Sequence, residues 1–247
     1  PLPDLKPNDL KAGSLGAMME RRYEAYKTYV IKPFFREHIA RLDRQIVLID
    51  AMQAMNAGGA VVADLERALT DILSCFRPGR SNVLTGLIQR RIGRILVAAT
   101  KADHLHHESH DRLQAIVRRL VERAIERADF SGANIDVLAM AAVRATREAT
   151  VTQGKEILPV IVGTPLKGEK IDGEVFDGKT ETAIFPGDLP KNPNAIFEKS
   201  FAQDDPAIRF VRFSPPRLER TAEGITLSLP HIRLDRALQF LIGDRLA

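Results

Sequence analysis

A hydroxyl, an ammonium and a carboxylate follow one another at the end of an apolar run. Residues 94–99, RILVAA, lead into Thr100, Lys101, Ala102 and Asp103. A carboxylate has two acceptor oxygens and can take two parallel hydrogen bonds from a planar pair of donors. Guanine carries such a pair on its N1 and N2 edge, and adenine does not. The aliphatic stem of Lys101 can lie along a flat base while its ammonium reaches an oxygen.

Neighbouring positions extend this pattern into a candidate binding site for guanine. Thr100 is expected to tie the loop to an adjacent segment. After the next apolar run come Ala141, Ala142 and Val143, small residues whose backbone N–H groups can approach a carbonyl such as guanine O6. These residues predict recognition of a guanine base. The alternative is structural: a polar turn in which Asp103 caps the following helix.

Three apolar runs predict the strands that must position these residues. The runs lie at 45–50, 94–99 and 135–141, and helical patterns long enough for crossover connections separate them. Such spacing predicts adjacent parallel strands in an α/β sheet, with a ligand site at their carboxyl ends. The consecutive apolar residues of 46–49 predict a strand that is buried on both faces.

The composition and the apolar periodicity of the sequence change near residue 150. Residues 14–150 predict part of an α/β core with a preceding helical segment, which starts at an N-cap, Ser14, and is expected to kink or restart at Pro33. Residues 151–247 combine short apolar runs with frequent Gly and Pro, which predicts a β-rich extension with antiparallel pairing. A closing helix over 234–246 is expected to pack on the core.

Composition restricts the classes of function that the chain can have. The 247 residues are 45% hydrophobic, carry a net charge of +4 and include no Trp and one Cys. The scattered basic residues and few aromatic residues give no strong signal for nucleic-acid binding. No apolar run approaches the roughly 18 residues that a transmembrane helix needs, so no transmembrane segment is predicted. One cysteine excludes an intrachain disulfide and fits a cytoplasmic location.

Two other groups could bind a metal ion. Asp50 ends the first strand, but its surroundings favour a role without metal. The stretch His104–His110 places His106 and His110 four residues apart, a spacing that could pair them as zinc ligands on a helix. A polar surface turn is the favoured interpretation, so no metal ligand is predicted in this chain.

Longer strings resemble the YcjX family of bacterial P-loop NTPases, which are grouped with stress-response genes. They are RLDRQIVLIDAMQAMNAG, ATKADHL, FPGDLP and PHIRLDRALQFLIGDRL, and the resemblance runs from about Tyr23 to the C-terminus. Residues 100–103 resemble the Asn/Thr-Lys-x-Asp guanine-specificity motif of GTPases, and residues 141–143 stand where the family of GTPases has a Ser-Ala-x loop. The resemblance implies a GTPase-like three-layer core with a parallel sheet, GTP or GDP with Mg²⁺ as ligands, and GTP hydrolysis by the intact molecule.

One departure from that family is large. The phosphate-binding string Gly-x-x-x-x-Gly-Lys-Ser/Thr does not occur in the sequence, and the Asp-x-x-Gly switch is not evident. The chain is therefore expected to be the C-terminal half to two-thirds of a protein, with a core that is incomplete on its N-terminal side. It would carry the base-recognition side and no catalytic residue.

A second hypothesis comes from a different functional class. In it the chain is an interaction module of a bacterial stress-response assembly, and nucleotide binding is secondary. Residues 151–230 would then form the partner surface. This hypothesis includes a membrane-associated protein partner and a cytoplasmic location at the periphery of the inner membrane.

Overall fold

The computed structural model describes most of the chain as two units. The described residues are 11–38, 42–75, 92–129, 133–171, 173–198, 201, 210–216, 220–221, 224–225 and 229–246. One unit comprises residues 1–43 and 80–92, and the other comprises residues 44–79 and 93–247.

The first unit contains the predicted N-terminal helical segment. Helix α1 (Leu15–Tyr26) begins at Ser14, whose hydroxyl accepts a hydrogen bond from the Ala17 backbone N–H at 3.2 Å, as predicted for an N-cap. A π-helical turn (Lys27–Ile31) and helix α2 (Lys32–Glu37) follow directly. Pro33 lacks an N–H and its ring would clash within a regular α-helix. The wider π-helical turn immediately before α2 is where the helix adapts to that residue.

The second unit is built on a three-stranded parallel sheet, as the sequence predicted. Its strands are β1 (Arg44–Ile49), β2 (Arg94–Ala99) and β3 (Asn134–Ala139), in the order β1-β2-β3. The register is unshifted, so Ile49, Ala99 and Ala139 lie side by side. The carboxyl ends of all three strands therefore lie level with one another at one edge of the sheet.

Helices cover both faces of this sheet. The elements concerned are α3 (Ala51–Asn56), α4 (Gly59–Cys75), α5 (His110–Asp129) and α6 (Leu234–Leu246). Helix α5 packs on β2 and β3 and against α4. Helix α6 packs on the other face, where Ala237 joins Leu96, Ala98, Leu138 and Met140 in one apolar cluster. The second unit is thus an α/β fold with helices on either side of a parallel sheet.

Strand β1 corrects one expectation, because it is not buried on both faces. Ile46 is 40% exposed and Leu48 is 61% exposed. Both side chains share the face that α6 covers, since they pair with Leu96 and Ala98. Helix α6 packs mainly on β2, and its apolar cluster contains no β1 residue. The outer strand therefore keeps exposed apolar side chains that a central strand would bury.

The second half of the chain forms antiparallel pairs, as predicted. Strands β4 (Arg147–Gln153), β5 (Glu156–Gly163) and β8 (Thr182–Ile184) make one antiparallel sheet. Two small hairpins consist of β6 (Lys170–Ile171) with β7 (Glu174–Val175), and β9 (Arg220–Thr221) with β10 (Gly224–Ile225). The proposed boundary at residue 150 falls within β4 and inside the second unit, and a separate domain there stays a prediction.

A second apolar core holds this antiparallel part together. Its buried members are Ile161, Phe176, Ile184, Val211 and Phe213. Phe213 also forms an isolated bridge with Pro165, which extends the pairing beyond the named strands. Within the described part of the chain, no helix combines the length and apolar character that crossing a bilayer requires.

Candidate functional site

Thr100 joins the carboxyl ends of the first two strands. Its backbone N–H donates to the Ile49 carbonyl at 2.9 Å, and its hydroxyl donates to the same oxygen at 3.2 Å. The threonine thus ties the loop after β2 to the neighbouring segment, as the sequence predicted. The hydroxyl proton is used in this contact, and direct contact of Thr100 with a nucleotide stays a prediction.

Lys101 has an unusual backbone conformation and an ionic partner. Its φ of 61° and ψ of 32° lie in the left-handed region, which costs an L-residue roughly 1–2 kcal/mol. The ammonium lies 2.5 Å from Oδ2 of Asp50, and the two side chains are 41% and 26% exposed. The other oxygen of Asp50 accepts from the Gln53 N–H at 3.1 Å and so caps α3. The ends of β1 and β2 are therefore joined by charge as well as by Thr100.

Asp103 connects the loop after β2 to the loop after β3. Asp103 is only 4% exposed, and its Oδ2 accepts a hydrogen bond from the Ala145 N–H at 2.8 Å. The Asp103 carbonyl accepts from the hydroxyl of Thr146. Helix α5 begins only at His110, so Asp103 does not cap that helix. The helix-capping part of the structural alternative is therefore wrong, and a structural role of Asp103 in the polar turn stays an alternative.

The three residues after β3 differ in their surroundings. Ala141 is 3% exposed and exchanges two backbone hydrogen bonds with Ile232, of 3.0 and 2.9 Å. Ala142 and Val143 are exposed. The N–H of Ala141 is thus already paired, and contact of this loop with a base stays a prediction.

A cavity of about 310 Å³ opens beside Lys101 at this edge of the sheet. Its lining residues are Asp50, Met52, Gln53, Asn56, Lys101, His104, Glu169, Phe210, Val211 and Arg212. Of the six residues proposed from the sequence, Lys101 alone lines it. Thr100, Asp103 and residues 141–143 lie near the same strand ends but outside the lining.

The antiparallel half of the chain supplies one wall of this cavity, which the sequence did not predict. Glu169 accepts from the Arg212 backbone N–H at 3.0 Å and from its Nε at 2.8 Å, while the Arg212 carbonyl accepts from the Leu166 N–H at 2.8 Å. These hydrogen bonds fix the position of Arg212, and the preceding residues Phe210 and Val211 line the cavity beside it. No local periodicity signals the wall, because residues 169 and 212 are far apart in the chain.

The lining combines two opposite-charge pairs with apolar surface. Asp50 pairs with Lys101, and Glu169 pairs with Arg212. Phe210 adds an aromatic ring to these charges. The volume lies at the lower end of the range for ligand pockets, but the lining is mostly polar, with Met52, Phe210 and Val211 as its apolar members.

Two histidines near the cavity are held neutral by their environment. His104 is 8% exposed and packs edge to face against Phe213, with 5.2 Å between ring centroids. Burial lowers the pKa of His104, although the nearby Asp103 carboxylate acts in the opposite direction. His110 donates through Nε2–H to the Ala102 carbonyl at 2.8 Å, and burial lowers its pKa too. Among the described residues, the group that could hold a metal ion contains His106, His107 and Glu108 but not His110, so the zinc pair of His106 and His110 is not present.

Comparisons with known proteins assign the chain to a family. Residues 1–246 match the YcjX-like family, DUF463. The chain is 34% identical over 230 residues to a Ras-like GTPase YcjX of Escherichia coli K12, and 32% identical over 229 residues to one of Shewanella oneidensis. Each match covers 93% of the chain but only 45% and 44% of the two relatives, respectively. The chain therefore belongs to the YcjX-like family and spans less than half the length of these relatives.

Proposed function

We propose that the chain carries the base-recognition side of a guanine-nucleotide-binding protein that hydrolyses GTP as a whole molecule. One observation carries the proposal: the Oδ2 of Asp103 accepts directly from the N–H of Ala145. The Thr-Lys-x-Asp segment and the loop after β3 therefore form one connected structure at the carboxyl ends of parallel strands. Ligands of open α/β sheets bind at that edge.

The carboxylate of Asp103 has acceptor capacity beyond its contact with Ala145. An ionised carboxylate has about four acceptor positions on two oxygens. Two of these can receive the guanine N1–H and N2 amino groups. Because Asp103 is only 4% exposed, the proposal requires that it becomes accessible when the base binds.

Lys101 and Phe210 supply the surfaces against which a base would pack. Both line the cavity. Aromatic rings and the aliphatic stems of long cationic side chains are common contacts for the faces of bases. The left-handed conformation of Lys101 supports a functional role, because strained backbone is concentrated at functional sites.

The residues for phosphates and Mg²⁺ are expected in another part of the protein. The sequence of this chain has no Gly-x-x-x-x-Gly-Lys-Ser/Thr string, which would supply the backbone N–H groups and the lysine for phosphates. Two curated relatives with the name Ras-like GTPase are more than twice as long as the matched region. GTP, GDP and Mg²⁺ are thus proposed as ligands of the whole protein.

The second candidate function is an interaction module, and the β4–β5 hairpin favours it. Val151 is 43% exposed and Ile157 is 71% exposed on this hairpin. Val151 pairs with Leu158 and Ile157 pairs with Thr152, so the two side chains lie on opposite faces, and a partner would contact one of them. Capture of a partner by the whole protein that is unaffected by GTP, by GDP and by Asp103→Asn would favour this candidate over a nucleotide-controlled role.

Replacement of Asp103 by asparagine tests base recognition. Asparagine keeps one acceptor but turns a donor toward the guanine amino group, and an unpaired buried donor costs roughly 1–3 kcal/mol. Xanthine has an oxygen at that position and can accept from the new amide. We therefore expect Asp103→Asn in the whole protein to lose GTP affinity and gain affinity for XTP, as measured by calorimetric titration of both nucleotides.

Asp188→Asn is the matched control for that experiment. Asp188 is an exposed carboxylate, with a side chain 76% accessible, that pairs with Arg112 at 3.3 Å away from the strand ends. It should leave the preference for GTP unchanged. Circular dichroism must show that both variants fold. Equal GTP affinity in Asp103→Asn and in the unmodified protein would contradict the proposed role of Asp103.

A further inference from the structure

Two histidines and a glutamate converge where the loop after Asp103 meets β4. Nδ1 of His107 lies 2.6 Å from Oε2 of Glu148, and Nε2 of His106 lies 3.9 Å from the same oxygen. The two imidazole rings are 4.3 Å apart between centroids. One potential ligand atom each from His106, His107 and Glu108 also lie within 4.8 Å of one another.

The local backbone explains why consecutive histidines share one side. In an extended strand, neighbouring side chains point to opposite faces. His106 is extended, with φ −67° and ψ 148°, but a 3-10 turn begins at His107 and runs to Ser109. This change of conformation brings the two rings together with an angle of 38° between their planes. Strand β4 then presents Glu148 to both of them.

His106 has hydrogen-bonding capacity that the protein does not satisfy. Its side chain is 9% exposed, and its Nδ1 is buried without a hydrogen-bond partner among the described residues. A buried polar atom without a partner is unfavourable, and such atoms are often explained by a bound water or ion. His107, by contrast, has a side chain that is 64% exposed. The cluster therefore has one buried ligand candidate and one side that is open to solvent.

The ligand atoms that this cluster offers favour one class of cation. Two imidazoles with carboxylate oxygens are typical ligands of Zn²⁺ and related first-row divalent ions, whereas Mg²⁺ prefers oxygen ligands alone. Glu148 and Glu108 would together offset the charge of such an ion. Arg144 lies 3.2 Å from the other oxygen of Glu148 and can orient that carboxylate. Partners of this kind commonly hold metal ligands in position.

We propose that His106, His107 and Glu148 bind a divalent cation of the Zn²⁺ type, with Glu108 available as a fourth ligand. The ion joins the loop that follows the Thr-Lys-x-Asp segment to the first strand of the antiparallel sheet. Its role is structural, because it fixes the position of that loop relative to β4.

Metal binding by the whole protein tests this site directly. After removal of bound metal with a chelator, calorimetric titration with Zn²⁺ should show one site, and Co²⁺ should give a visible absorption band from coordination by nitrogen and oxygen. Loss of an outer partner of a metal ligand already weakens metal affinity roughly 10–100-fold, so His107→Ala and Glu148→Gln should each weaken it at least tenfold. Urea unfolding should shift to higher urea on addition of Zn²⁺.

His38→Ala is the control variant, because His38 is exposed and belongs to the first unit, whereas the cluster belongs to the second. It should bind Zn²⁺ with unchanged affinity. His107 is largely exposed, so its replacement should leave the fold intact, as circular dichroism will check. The proposal is overturned if Zn²⁺ does not bind at one site, or if His107→Ala and Glu148→Gln bind it as the unmodified protein does. In either case the cluster is an ion pair only.

Discussion

At the scale of single residues, the backbone conformation of Lys101 lowers the stability of the fold at a position that lines the cavity. Its left-handed backbone conformation costs roughly 1–2 kcal/mol relative to an ordinary conformation. The ion pair with Asp50 offsets part of this cost, but both side chains are partly exposed and such pairs contribute little. A glycine would fit the backbone without strain. The presence of lysine rather than glycine fits the proposed contact of its stem with a base.

The backbone cost at Lys101 can be separated from the loss of its charge. Lys101→Gly and Lys101→Ala both remove the ammonium, but only glycine tolerates a positive φ without a steric penalty. We expect the glycine variant to be more stable by roughly 1 kcal/mol, because the relieved strain exceeds the extra entropy of glycine in the unfolded chain. Urea unfolding of the two variants of the whole protein measures the difference.

Glu126 provides a control at which the glycine variant should be less stable than the alanine variant. It is exposed in helix α5, where glycine is about 1 kcal/mol less favourable than alanine. Glu126→Gly should therefore be less stable than Glu126→Ala. If Lys101→Ala is as stable as Lys101→Gly, the left-handed conformation at residue 101 carries no cost and the argument from strain fails.

The sequence allowed contacts to be predicted only between residues that are close along the chain or that lie at the ends of predicted strands. The tie made by Thr100 followed from its place directly after an apolar strand. The pairs Lys101–Asp50 and Arg212–Glu169 span 51 and 43 residues, respectively. Periodicity reports which side of an element a residue occupies but not which distant residue it meets. Sequence analysis therefore found one side of the cavity and missed the opposite wall.

At the scale of elements, the parallel sheet was predictable and its coverage was not. Apolar runs of strand length, separated by helices, restrict the connections to parallel crossovers. All three predicted strands are present within one residue or two of their expected bounds. The exposure of Ile46 and Leu48 depends instead on where α6 packs. That position is set by contacts between distant parts of the chain.

Two arginines at the start of the sheet fasten the C-terminal end of helix α6. Arg44 makes two hydrogen bonds to the carboxylate of Asp244, at 2.6 and 2.7 Å, and Arg94 lies 3.3 Å from it. Both arginines also donate to backbone carbonyls near the end of α6, at Leu241 and Phe240. Cations near a helix C-terminus also interact favourably with the helix dipole. Asp244 thus lies at the centre of the contact between α6 and the sheet.

Acid should weaken this contact in a defined pH range. The Arg44 hydrogen bonds, with smaller charge effects from Arg44 and Arg94, lower the pKa of Asp244 from 3.8 to about 2. A lowered pKa in the folded state stabilises the protein above pH 4, and that contribution disappears as the pH falls toward 2. We expect Asp244→Asn to be less stable than the unmodified protein at pH 6, and the difference to shrink between pH 4 and pH 2.

Urea unfolding at several pH values measures that difference. Asp188→Asn again serves as the control, because Asp188 is largely exposed and touches α5 rather than α6. Its stability difference from the unmodified protein should vary little over the same range. A pH-independent difference for Asp244→Asn would show that the carboxylate is not stabilised by the two arginines.

At the scale of the whole molecule, the proposed nucleotide site is divided between parts of a longer protein. The chain matches less than half the length of its curated relatives. Its sequence holds the Thr-Lys-x-Asp segment that we propose for base recognition, but no phosphate-binding string. Phosphoryl transfer depends mainly on groups that position the phosphates and neutralise their charge. Under the proposed function, base selection and hydrolysis would belong to different stretches of sequence.

This division predicts that the 247-residue chain does not hydrolyse GTP above background. The physical reason is that no group of the chain corresponds to the lysine and hydroxyl that hold the phosphates and Mg²⁺ in P-loop proteins. Release of inorganic phosphate, measured with the chain and with the whole protein under the same conditions, checks the prediction. Mg²⁺-dependent turnover that stays with the chain through successive purification steps would show that catalytic groups lie within it.

The outer edge of β1 has a consequence for the behaviour of the chain at high concentration. Among the described strands, β1 pairs with β2 alone, and Ile46 and Leu48 are exposed on one of its faces. Residues 45–49, QIVLI, form an uncharged stretch between Arg44 and Asp50. Uncharged edge strands with exposed apolar side chains promote aggregation, and flanking charges oppose it. Arg44 and Asp50 are already paired with Asp244 and Lys101, so they protect this edge only weakly, which favours self-association of the isolated chain.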